Sequence, residues 1–208
     1  MNFHSARFLL MLAVAFFLYW EVADRYGRPG EDEDLPDEAT VKRMMNRRRW
    51  LRLWVLALTS FAFYAAWDFR PLLVLSAYAL VNWAAGLLFG RVKSPGPRKA
   101  VMVLAVCLHL GGLILYKYVN LFIRTKADVA QWLGLSAKPE PLGLLVPLGL
   151  SFAAFQAISY VVDAYRGQVK ARYSYLHHWI YLCFFPRVVA GPIVRSSDLL
   201  TQLDRPRR

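Results

Sequence analysis

Leu145-Val146-Pro147-Leu148-Gly149-Leu150-Ser151-Phe152 opens an apolar run that reaches Asp163-Ala164-Tyr165-Arg166-Gly167, and Phe184-Phe185-Pro186-Arg187-Val188-Val189-Ala190-Gly191-Pro192-Ile193-Val194-Arg195 follows it. These stretches place Pro, Gly, Gln, Asp and Arg inside or beside long apolar segments, where a plain membrane anchor carries only Leu, Val and Ala. Helix breaks and polar groups at membrane depth lose water and cost free energy, so they persist where they line a cavity or a pathway. The pattern predicts an all-α polytopic membrane protein whose last third does more than hold the chain in the bilayer.

Composition agrees. Hydrophobic residues make up 57% of the 208 and charge is confined to short bands, which excludes an ordinary soluble domain. Uncharged runs extend over Phe8–Trp20, Leu53–Trp67, Leu72–Phe89, Ala100–Tyr116 and Leu142–Val162. A bilayer core needs about 20 helical residues, and the shorter runs reach that length if Arg7, Arg52 and Lys117 carry their charges to the interface. Five spans are expected, at about 5–23, 50–67, 71–90, 100–123 and 142–163. The first run resembles a signal peptide, but cleavage after Ala23 would leave Glu21 close before the cut, so a retained helix is expected.

The net charge of +12 does not point to nucleic acid, because its distribution is that of a membrane topology. Arg25, Arg28, Lys42, Arg43, Arg47, Arg48, Arg49 and Arg52 lie between runs one and two, and Arg91, Lys93, Arg98 and Lys99 between three and four. Arg166, Lys170 and Arg172 follow run five, whereas Arg70 stands alone between two and three and Lys117, Arg124, Lys126 and Lys138 lie between four and five. The bias puts the N-terminus outside and the odd-numbered loops in the cytoplasm. The acidic patch Glu31-Asp32-Glu33-Asp34 reads as a solvated loop.

Gln156, Ser159 and Asp163 are spaced by three and four and share one helix face, which implies a wet cavity or a polar partner helix. Pro147 and Gly149 mark a bend or a helix start. The segment 177–195 is too short to span twice and is broken at Pro186-Arg187 and again at Gly191-Pro192, with Arg195 at its end. It reads as an element that enters the membrane and turns back, and a tilted helix capped by Arg195 is the other geometry these residues allow. His109 and Asn82 read as interhelical hydrogen-bonding groups. His177 and His178 are adjacent, so about 100° apart on a helix, and read as interface residues and not as a metal pair. Ala127 to Leu135 reads as a short interfacial helix. Cys107 and Cys183 lie in apolar segments and read as small hydrophobes, and no metal, phosphate-loop or Ser-His-Asp spacing is present.

The ordered motifs L-P-L-G-L-S-F, F-Q-A-I-S-Y-V-V-D-A-Y-R-G and F-F-P-R-V-V-A-G-P-I-V-R resemble the N-terminal half of the membrane-bound O-acyltransferase (MBOAT) family, in the branch of alginate O-acetylases and the teichoic acid D-alanyl transfer protein. Ser60 to Asp68, Val81-Asn82-Trp83 and Tyr116-Lys117-Tyr118-Val119-Asn120 match in order, and the likeness extends from about Phe8 to Leu203. The resemblance implies transfer of an acyl group, acetyl in preference to D-alanyl, onto hydroxyls of a cell-envelope polysaccharide. It implies a thioester or acyl-carrier protein as donor, no tightly bound cofactor, and a polysaccharide acceptor reached through a partner acyltransferase. Gln156, Ser159, Asp163, Pro186, Arg187, Gly191, Pro192 and Arg195 are the expected funnel-lining or re-entrant residues. The family's general-base histidine lies beyond the G-P-I segment, and none of His4, His109, His177 or His178 stands at its place. The 208 residues are therefore expected to be one partial domain that ends mid-architecture: a fragment, a disrupted product, or one half working with a separately made second half. A non-catalytic membrane subunit is the alternative.

The charge bias generates a direct test. A cysteine introduced at Ser5 should react with a membrane-impermeant thiol reagent in intact cells, and one at Ser94 should not; the reverse labelling would overturn the orientation.

Overall fold

The computed structural model describes residues 6–22, 38–67, 69–135, 142, 149–169, 173–186 and 195–204, and among these there is helix and no strand. α1 (Ala6–Phe17) continues through a π turn, Leu18–Val22. α2 (Glu38–Trp67), α3 (Arg70–Arg91) and α4 (Pro95–Trp132) are long, whereas α5 (Leu150–Tyr165), α6 (Tyr175–Cys183) and α7 (Ser196–Asp204) are short. Pro71 and Pro95 sit in the first turns of α3 and α4, where the missing N–H has no intrahelical acceptor to lose.

α3 is the centre of the bundle and packs against α4, α5 and α6. Its buried residues recur at helical spacing, Leu72, Leu75, Ala79, Asn82, Gly86 and Phe89 among them. α5 meets α3 and α4 through Ala153, Ala154, Ala157 and Ala164, small side chains that let helix backbones approach closely. α4 buries one narrow stripe, Ala105, His109 and Leu113. Its other faces expose Leu104, Leu108, Ile114, Leu121 and Phe122, and α1 exposes Leu9, Leu10, Phe16 and Phe17. An exterior this apolar suits lipid contact, and α3 and α4 are both long and apolar enough to cross a membrane.

One expectation changes. The predicted interfacial helix from Ala127 to Leu135 is not separate: α4 runs unbroken to Trp132 and closes at Gly134, which has φ 76°. Arg124-Thr125-Lys126 contains no Pro or Gly, so nothing interrupts the backbone ladder there. The helix of the fifth run starts at Leu150 after Gly149, φ 72°, one of the two outcomes, a bend or a helix start, that Pro147 and Gly149 marked in the sequence. Pro147 lies outside the described residues.

Polar groups fasten the helices at two depths. Arg98, near the start of α4, donates to the carbonyls of Phe89 (3.2 Å) and Tyr165 (3.0 Å) at the C-terminal ends of α3 and α5. A guanidinium there satisfies carbonyls that have no intrahelical donor and meets the negative ends of two helix dipoles. Deeper, His109 Nε2 and Asn82 Oδ1 pair at 3.0 Å, and Tyr78 donates to the His109 carbonyl at 2.8 Å. The interhelical reading of His109 and Asn82 is thus the observed one.

Tyr78 can reach the α4 backbone because residue 112 is Gly: a Cβ at Gly112 would lie 2.6 Å from the tyrosine oxygen, whereas one at Gly111 would meet nothing within 4 Å. Gly112→Ala should therefore destabilise the bundle by about 1–3 kcal/mol, the usual cost of overpacking. Gly111→Ala should be neutral or slightly stabilising. Denaturation in detergent checks both, and equal effects of the two substitutions would remove the steric explanation.

Candidate functional site

The polar face of α5 meets the two ends of the segment singled out by sequence. Gln156 donates its amide to the Tyr181 carbonyl on α6 at 2.8 Å, and the Tyr181 hydroxyl donates to the Gln156 carbonyl at 3.2 Å. Two turns further along, Asp163 accepts from the Ser196 hydroxyl at the start of α7, at 2.9 Å. Ser159 lies half-buried between them. Of the two implications of the stripe, the polar partner is what Gln156 and Asp163 meet. Pro186 is half-buried and Arg195 exposed, while Arg187, Gly191 and Pro192 lie outside the described residues.

α6 is anchored along its whole length. Trp179 Nε1 donates to Ser76 Oγ on α3 at 2.8 Å, and beyond Cys183 the Phe185 ring stacks on Phe63 of α2 with centroids 5.2 Å apart. At its other end, Arg49 of α2 donates to Asp204 of α7 at 2.9 Å, and His177 Nε2 lies 4.0 Å from the same carboxylate. Residues 177 and 204, which bracket the broken segment, therefore meet at one end of the bundle.

His177 and His178, expected from sequence at the membrane interface, are both buried within the protein. Ser174 caps α6 and its hydroxyl meets His177 Nδ1 at 2.7 Å. His178 points elsewhere, with its ring 4.5 Å from that of Tyr160 on α5, which is the divergence that adjacent helical positions impose. Ser174, His177 and Asp204 stand in a row to which no spacing in the chain points, since Asp204 comes from another helix. At 4.0 Å, however, Asp204 is beyond hydrogen-bonding distance of the ring, and Ser174 closes the first turn of α6 through its carbonyl, which accepts from the His177 and His178 N–H groups. This is a packing arrangement. A Ser three residues before His was its one local signal. Among the described residues no cluster of His, Cys, Asp or Glu could hold a metal ion.

Burial lowers the His177 pKa below its ordinary value; nearby Asp204 opposes the shift and Arg49 adds to it. The folded chain then binds fewer protons here than the unfolded chain, so this group's contribution is complete above about pH 6.5 and is lost as pH falls from there toward its folded pKa.

No family profile matches the chain, and no solved structure matches it. It is 30% identical over 155 residues to the probable alginate O-acetylase AlgI of Pseudomonas aeruginosa, across 72% of this chain and 29% of that protein. The same protein of Pseudomonas putida is 32% identical over 157 residues, across 72% of this chain and 31% of its own length. The chain is homologous to the membrane-bound O-acyltransferases. A peptidoglycan O-acetyltransferase of Helicobacter pylori is 26% identical over 175 residues, covering 73% of this chain and 32% of that relative. The chain thus spans less than a third of the length of these curated relatives, a share consistent with the N-terminal part expected from the motifs.

Two outcomes check this geometry. Gln156→Leu should weaken the α5–α6 junction by about 1–3 kcal/mol, because the Tyr181 carbonyl loses its buried donor. In a pH series of thermal unfolding, the stability of the unmodified chain relative to His177→Gln should fall as pH drops below about 6.5. A flat difference would show that His177 does not titrate on unfolding.

Proposed function

We propose that these residues form part of an O-acyltransferase that moves an acyl group, acetyl in preference, from a thioester or acyl-carrier donor to hydroxyls of an envelope polysaccharide. The observation that supports it most is the conjunction of O-acetylase relatives with a polar α5 face that bonds Tyr181 and Ser196, on either side of the F-F-P-R-V-V-A-G-P-I-V-R segment. On this reading that segment lines the reaction funnel. The approach of His177 to Asp204 supports a re-entrant path, because a simple sixth span would carry the two positions to opposite ends. On this reading the chain has five spans, a short re-entrant element and an outside N-terminus in the bacterial inner membrane.

The chemistry requires a base. A polymer hydroxyl attacks the thioester carbonyl, gives up its proton to that base, and the thiolate leaves as the tetrahedral adduct collapses. The described histidines are poorly suited: His109 is bonded to Asn82 between two helices, His177 to its cap, and His178 is fully buried. The 208 residues on this proposal supply scaffold and wall, and the base comes from a further part of the enzyme, in the same chain or a separate one. The same observation favours the second reading, a non-catalytic membrane subunit.

Membranes containing only these 208 residues should transfer a labelled acyl group to envelope polysaccharide no faster than empty membranes. Supplying the remaining part of a relative, with its histidine, should raise transfer by about 10²–10⁴-fold, the usual contribution of a general base. Turnover by the 208 residues alone that is lost in His177→Ala or His109→Ala would overturn the claim, and no gain on supplementation would favour the non-catalytic subunit.

A further inference from the structure

A groove of about 420 Å³ opens between α1, α2, α6 and α7, away from the α5 face. Ala15 and Phe16 of α1, Leu56 and Thr59 of α2, Phe184 beyond α6 and Leu203 of α7 line it. Thr59 returns its hydroxyl to the Val55 and Leu56 carbonyls of its own helix, so it adds little free polarity to the wall. The apolar trough has one polar end. There the guanidinium of Arg52 lies 5.6 Å over the ring of Tyr19, and Arg49 holds Asp204, the neighbour of Leu203.

That end is strongly basic. Lys42, Arg43, Arg47, Arg48, Arg49 and Arg52 all belong to the first half of α2, and Arg48 Nε and Arg49 Nε are buried without a hydrogen-bond partner among the described residues. Buried cationic donors without an acceptor are costly, and an anionic oxygen would satisfy them. Tyr19 and Trp20, the latter 40% exposed, put an aromatic pair at the same level, the usual mark of headgroup depth. An apolar trough whose mouth sits beside a basic cluster and interfacial aromatics matches one chemical form: a hydrocarbon tail joined to a phosphate.

We propose that this groove is a binding site for one acyl tail of an anionic glycerophospholipid, with the headgroup phosphate on the Arg48–Arg49–Arg52 end of α2. The lipid joins α1 to the α6–α7 pair and neutralises the basic cluster. The site rests on the membrane reading of the chain and is independent of acyl transfer.

The test uses the full chain in vesicles with diazirine-tailed phosphatidylglycerol and, in parallel, diazirine-tailed phosphatidylcholine. Peptides from residues 12–20 and 199–203 should be labelled by the anionic probe and much less by the zwitterionic one. Arg49→Gln and Arg52→Gln should each reduce anionic labelling by about fivefold, the effect of one basic residue near an anionic surface. Arg47→Gln, which removes the same charge from an exposed position, should leave labelling nearly unchanged. Ala15→Trp, which fills the groove, should abolish it in a protein that keeps its helix content by circular dichroism. Equal labelling by the two probes in the unmodified chain would overturn the proposal without recourse to any variant. So would labelling that survives Ala15→Trp, or a photo-crosslinker at Phe16 that captures protein, including a second copy of this chain, in place of lipid.

Discussion

The amide of Gln156 and the hydroxyl of Tyr181 each reach the other residue's backbone carbonyl, and the geometry of the last third depends on this exchange. Both residues are buried, and neither polar group could be left without a partner at low cost. The exchange fixes α6 against α5 in register as well as in distance, since a shift of one residue would break both bonds at once. α6 is held as well by Trp179 on Ser76 of α3 and by Phe185 against Phe63 of α2, and the start of α7 lies beside Asp163.

Charge acts at the rim of the bundle in the same way that polar exchange acts inside. Arg98 joins the C-terminal ends of α3 and α5, and Arg49 joins α2 to α7, each through a planar fork that can serve two acceptors or one carboxylate. The positive bands are thus partly structural. Counted as loop charge in the sequence, Arg49 and Arg98 lie within helices and fasten one helix to another in the fold.

Helix class, the central apolar runs and the importance of the α5 stripe were legible because they are local: each is a spacing within one element. The His109–Asn82 contact was legible in kind, since a polar side chain between apolar neighbours must find a partner on another helix. The pairings that fix the site were not. Asp204 comes to His177 across the broken segment, and Tyr181 comes to Gln156 across the whole of the α5–α6 connection. No periodicity encodes such meetings. The mistaken short helix at Ala127 had a different cause: a polar band was read as a break, although α-helix tolerates Arg, Thr and Lys and stops only when its ladder is interrupted.

The unbroken course of α4 has a consequence for how this chain can vary in length. Thirty-eight residues make a rod of about 57 Å, well beyond the roughly 30 Å of a hydrocarbon core. Ala105, His109 and Leu113 face inward along its first half, and Ala127 is buried again four turns later. One residue inserted between Leu113 and Ala127 would turn the far part of the rod by about 100° and slide it by about 1.5 Å, directing a different side to whatever covers Ala127. Only insertions close to whole numbers of turns, such as seven residues, preserve phase. α4 therefore behaves as a rotational gauge, in which the angular relation between the bundle and the distal tip is stored in the residue count.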